Sequence, residues 1–197
     1  SYLDTFTEYV YQGVLHIWIG IDHILFLIAL LLTCVLTRDK KTWQPISSKK
    51  HIIKHTAWIV TAFTLAHSIT LTATALDLIS LNTRWVELII AISVLLAAIN
   101  NVWPVVLRLG WLTFAFGLLH GMGFASVLGE LGLSSNYQLM SILAFNLGVE
   151  IGQLSILLVA LPLLIAFRKT AWYVKWLMPA GSIGIAVVAL NWSIERF

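Results

Sequence analysis

The stretch His16-Ile17-Trp18-Ile19-Gly20-Ile21-Asp22-His23, running straight into Ile24-Leu25-Phe26-Leu27-Ile28-Ala29-Leu30-Leu31-Leu32, decides the fold of this chain. An unbroken apolar run of this kind makes a helix with no polar face, which belongs in a large core or in lipid. The rest of the sequence selects lipid. Of 197 residues, 59% are hydrophobic and 11% are charged, whereas a soluble domain carries about a quarter charged residues. Mean hydropathy is +0.91. So few charges cannot clothe a globule in polar surface. The two imidazoles and the carboxylate at the head of the run therefore stand inside a membrane-spanning segment.

Other spans follow on either side. A helix crosses the hydrocarbon core with about 20 mostly apolar residues. Six segments qualify, from Val10 to Leu36, Thr56 to Ile79, Trp85 to Trp103, Leu107 to Leu128, Gln138 to Phe167, and Trp172 to Trp192. The expected fold is an all-α membrane protein, a six-helix transmembrane bundle forming a single domain over residues 1–197. The fifth span is long enough to tilt, protrude or kink at Pro162. Asn100, Asn101 and Pro104 suit a tight hairpin between the third and fourth.

The basic residues give an orientation. Arg38, Lys40, Lys41, Lys49, Lys50, Lys54, Arg108, Arg168, Lys169 and Lys175 fall on one side, and only Arg84 and Arg196 on the other. The positive-inside rule then places the basic loops in the cytoplasm and the N-terminus and C-terminus both outside. A first span entered from outside calls for an upstream signal or extracytoplasmic segment, which is expected ahead of Ser1. Cys34, the single cysteine, lies in an apolar run as a small filler and leaves no internal disulfide. The net charge of +3 is spread over loops, so no nucleic acid partner is expected.

Ionisable groups in hydrocarbon are costly unless paired, and so mark function. On a straight helix His16 and His23 share a stripe with Gly20 but lie about 10 Å apart along the axis. Ligands of one ion sit about 2 Å from it. Either the helix breaks near Gly20, or the two histidines serve two ions, or they are stations on one path. Asp22 is placed to ligate directly or to orient an imidazole. In the second span Thr61, Thr64, His67 and Ser68 share a face that suits the bundle interior, although hydroxyls there often bond back to their own helix. In the fourth, Gly117 and Gly121 let another backbone approach, with His120 between them. In the fifth, Asn146, Glu150 and Gln153 make one polar stripe. A buried Glu calls for a proton, a metal or a cation, and no Lys or Arg lies at mid-span. His51 and His55 read as solvated residues beside the basic loop. Imidazoles with carboxylates suit zinc, nickel, cobalt or copper better than magnesium or calcium.

Three of these motifs resemble one family. The H-x-x-x-G-x-D-H pattern from His16 to His23 with its apolar run, the His120-Gly121-Met122-Gly123-Phe124-Ala125-Ser126 run, and the Asn146-Leu147-Gly148-Val149-Glu150-Ile151-Gly152-Gln153 run are similar to motifs of the HupE/UreJ family. The resemblance implies a multi-pass permease of the bacterial inner membrane carrying nickel, with cobalt as a further substrate. Related nickel–cobalt permeases space the first motif one residue shorter, so their ligand geometry does not transfer.

The first reading is a secondary transporter in which a divalent transition-metal ion (nickel, cobalt or zinc) is held by His16, Asp22, His23, His67, His120 and Glu150 in some combination. Asn146, Gln153, Ser68, Gly20 and Gly121 are the supporting polar or close-packing residues. The second is an intramembrane metal-dependent hydrolase with a mononuclear or dinuclear centre. The third is a proton- or electron-transfer subunit with haem-ligating histidines. The sequence fixes neither the metal nor the oligomeric state.

Overall fold

A computed structural model describes residues 2–105, 109–123 and 137–197. Its helices are α1 (Tyr2–Ile19), α2 (Ile21–Cys34), α3 (Lys49–Ala75), α4 (Thr83–Val102), α5 (Leu109–Met122), α6 (Gln138–Phe167) and α7 (Met178–Arg196). Two short strands, β1 (Leu36–Asp39) and β2 (Thr42–Pro45), pair antiparallel between α2 and α3. Among the described residues four helical segments are long and apolar enough to cross a membrane, and α1 with α2 makes a fifth if the bent pair is one span. Of the expected fourth span, α5 covers Leu109–Met122; residues 107–108 and 124–128 lie outside the described residues, and with them Phe124, Ala125 and Ser126 of its motif. An all-helical membrane architecture with a small hairpin is what these elements make.

The expected first span is two helices. α1 ends at Ile19, α2 starts at Ile21, and their axes differ by 68°. Gly20 sits at the joint with φ −69° and ψ 94°, an extended conformation that interrupts the helical path. The joint is tight. A Cβ at Gly20 would stand 2.6 Å from the His16 carbonyl oxygen and 3.0 Å from His23 Nδ1. Beyond the joint α2 is buried over most of its surface, from His23 to Cys34, as a helix without a polar face should be. It is the core around which α3, α4, α6 and α7 pack.

Small residues set the other contacts. α3 packs on α5, and α1 on α6. A Cβ at Gly121 would lie 2.2 Å from Thr70 Oγ1 and 2.3 Å from the His67 carbonyl oxygen, and one at Gly117 would lie 2.6 Å from the Phe63 carbonyl oxygen. Gly13 and Gly148 meet in the same way across α1 and α6. Without a hydrophobic driving force between helices in lipid, such backbone approach is the main source of packing energy.

Several boundaries differ from the sequence expectation. The basic loop after the first span contains the β-hairpin, whose turn takes φ 55° at Lys40, and Trp43 Nε1 anchors it by donating to the Asn101 carbonyl at 3.0 Å. α3 begins at Lys49, where the Ser48 hydroxyl accepts from the His51 N–H. Asn100 and Asn101 belong to α4 and are buried, not in a turn. Asn101 Nδ2 donates to the Ala29 carbonyl at 2.7 Å and to Ser182 Oγ at 3.0 Å, tying α2, α4 and α7 together. A buried amide earns its place by such full satisfaction. α6 runs as one 30-residue helix through Pro162. A π-helical turn, Tyr173–Leu177, leads into α7, and there the buried Tyr173 hydroxyl donates to the Leu32 carbonyl. Cys34 is buried and unpaired to any other cysteine, as expected.

Candidate metal site

The bend at Gly20 removes the separation that a straight helix imposes. The rings of His16 and His23 stand 4.5 Å apart, and each lies 5.8 Å from the ring of His67 on α3. One nitrogen from each of the three falls within 4.8 Å of the other two. Two ligands of one ion at about 2 Å lie at most about 4 Å apart, so modest side-chain rotation closes the set around a single ion. His120 on α5 extends the cluster, its ring 4.9 Å from that of His23. His67 and His120 are fully buried, at 0% and 1% exposure.

The hydrogen bonds fix the tautomers. His23 Nδ1 lies 3.1 Å from Asp22 Oδ1, which also accepts the His23 backbone N–H at 2.9 Å. A carboxylate accepts, so Nδ1 carries the proton and Nε2 presents a lone pair. His23 Nε2 is buried with no hydrogen-bond partner among the described residues. His120 is arranged the same way by α4. The Ser93 hydroxyl gives its proton to the Ile90 carbonyl at 2.7 Å and lies 3.1 Å from His120 Nε2. Having one proton, Ser93 must accept, so Nε2 of His120 donates and Nδ1 keeps its lone pair. That Nδ1 too is buried and without a hydrogen-bond partner among the described residues, and on His67 Asn146 reaches at most one of the two ring nitrogens. Buried polar atoms are nearly always satisfied; lone pairs left open side by side are free to accept a metal ion.

The surroundings are apolar. Phe63 lies 5.4 Å from His120 and 6.0 Å from His67, Phe26 lies 5.2 Å from His120, and Phe145 lies 5.4 Å from His16. Phenyl walls exclude water and strengthen whatever electrostatic interactions form inside.

The remaining candidate residues take other places. The Thr61-Thr64-His67 face of α3 does turn toward α6. Thr61 Oγ1 donates to Glu150 Oε1 at 2.8 Å, and Thr64 Oγ1 donates to Gln153 Oε1 at 2.6 Å. Glu150 does not join the three-histidine group, and its Oε2 is buried without a hydrogen-bond partner among the described residues. Ser68 bonds back to the Thr64 carbonyl at 2.7 Å. Gly20 supplies the bend and Gly121 the close approach of α5 to His67. His51 and His55 stack on each other at 5.7 Å near the start of α3, apart from the cluster. Sequence reasoning missed Ser93, whose only signal is a hydroxyl in an apolar helix, and it missed the phenylalanine walls.

No curated protein and no solved structure matches the chain. The family described as HupE / UreJ protein matches it over residues 1–196, so the chain belongs to the HupE/UreJ family.

Proposed function

We propose that this chain is a secondary transporter that moves a divalent transition-metal ion across the membrane through the imidazole cluster. The family is associated with nickel and cobalt transport, which makes nickel the leading substrate, with cobalt or zinc the others. One observation carries the reading: the bent first span and α3 bring three imidazole nitrogens within 4.8 Å of one another. In this reading His16, His23 and His67 bind the ion. His120 is the fourth ligand, Asp22 orients His23, and Glu150 lies on the path beside the cluster. Imidazole suits nickel, cobalt and zinc alike. Six spans with both termini outside, in the inner membrane, complete the proposal; the end of the bundle bearing the β-hairpin is then cytoplasmic.

The test is nickel uptake into proteoliposomes holding the purified chain. Uptake should be saturable and should be abolished in His23→Ala and His67→Ala. Uptake unchanged in both variants rejects the reading.

A further inference from the structure

One recess on the outside of the bundle combines oil and positive charge. An apolar groove of about 330 Å³ lies between α3 and α6, lined by Ile53 and Ala57 on one side and by Leu157, Leu158, Leu161 and Pro162 on the other. Leu157 and Leu161 are buried and form its floor. At one end it meets a second recess of about 580 Å³ that shares Ile53, Pro162 and Ile165 and adds Lys49, Arg168 and Lys169. The shared lining makes the two one continuous channel, apolar along its length and cationic at its mouth.

The cations at the mouth differ in what they are doing. The buried Arg168 guanidinium is committed, donating to the Ile46, Ser47 and Ile165 carbonyls. It thereby covers the negative end of the α6 dipole. Lys49 and Lys169 are exposed, and neither has a hydrogen bond or ion pair among the described residues. Lys49 also opens α3, so the positive end of that helix dipole adds to its charge. The depth is informative too. From Leu154 to Ile165 the groove follows α6 for about 16 Å, about one leaflet of a ~30 Å hydrocarbon core.

We propose that this channel binds an anionic phospholipid, with its phosphate held by Lys49 and Lys169 and one acyl chain laid over Leu157 and Leu161. Basic pockets at the membrane surface between helices select anionic headgroups. A zwitterionic headgroup brings an ammonium that the two lysines repel. The site is separate from the imidazole cluster, and lipid binding there does not depend on which ion the cluster carries.

The full chain, purified in detergent and stripped of lipid, is titrated with phosphatidylglycerol or with phosphatidylcholine of the same acyl chains. Bound lipid is counted by native mass spectrometry. Phosphatidylglycerol should be retained at a concentration about thirtyfold lower, since each of the two lysines near a lipid surface contributes a preference of about fivefold. The surface double variant Lys49→Ala, Lys169→Ala should lose the preference. Leu158→Trp, which fills the groove from its exposed side, should lower retention of both lipids. Lys40→Ala with Lys41→Ala, in the hairpin, should leave the preference intact. A preference that survives in the Lys49/Lys169 variant overturns the proposal. So does one lost equally in the Lys40/Lys41 variant, because diffuse surface charge then explains it. Displacement of the lipid by inorganic phosphate also overturns it, assigning the mouth to a free anion. Each outcome leaves the transport reading untouched.

Discussion

His16 and His23 are seven positions apart in the chain, yet their imidazole rings meet at 4.5 Å because the backbone turns by 68° at Gly20. A regular helix would hold them about 10 Å apart. The bend brings imidazoles from α1 and α2 to one place, and α3 and α5 add those of His67 and His120. Discontinuous membrane helices recur at transporter ion sites for the same reason: they free backbone and re-aim side chains where a cavity tolerates it.

Gly20 tests the bend. A methyl group there meets the His16 carbonyl at 2.6 Å and crowds His23 Nδ1 at 3.0 Å. Gly20→Ala should cost about 1–3 kcal/mol of stability through overpacking and weaken nickel binding, with helicity by circular dichroism preserved. Normal affinity in this variant contradicts the role given to the joint.

Asp22 tests orientation against ligation. If it holds the His23 tautomer, Asp22→Asn should lower nickel affinity by about 10–100-fold while the bound ion keeps its number of nitrogen ligands in X-ray absorption. His23→Ala should cost more and lose one nitrogen. Loss of an oxygen ligand in Asp22→Asn would instead make Asp22 a ligand.

Ser93 reaches the site only through His120. Ser93→Ala frees His120 Nε2 from its acceptor and should reduce nickel affinity by up to about tenfold, and Ser93→Thr should restore it. Unchanged affinity in Ser93→Ala contradicts the orienting role given to Ser93.

Glu150 is bonded to Thr61 rather than grouped with the imidazoles. Glu150→Gln should therefore leave equilibrium nickel binding intact and slow uptake into proteoliposomes. A parallel loss of binding would place the carboxylate in the ion's own shell.

Much of this was legible in the sequence, for identifiable reasons. The clash between the His16–His23 stripe and the reach of a metal–ligand bond left three possibilities, a break near Gly20, two ions or a path of stations, and the structure has the break. Gly117 and Gly121 announced a close helix contact by their spacing, and α3 fills it. The Thr61-Thr64-His67 face was readable because period 3.6 puts those residues on one side. What sequence could not give was the relation between helices. Depth along a span grouped Glu150 with the histidines, but depth says nothing of azimuth, and Glu150 turns to Thr61. Ser93 was invisible because its partner lies 27 positions away on another helix. Asn101 reads as a turn residue by type, yet it is buried because two neighbouring helices, α2 and α7, satisfy its amide.

The central claim is that His16, His23 and His67 bind one ion. It is tested most directly by counting nickel on the purified, tag-free chain by elemental analysis after dialysis. One tightly held ion per chain is expected, lost in His67→Ala and retained when His51 and His55 are both replaced by alanine. Full nickel content in His67→Ala, or its loss in the His51/His55 variant, would contradict it.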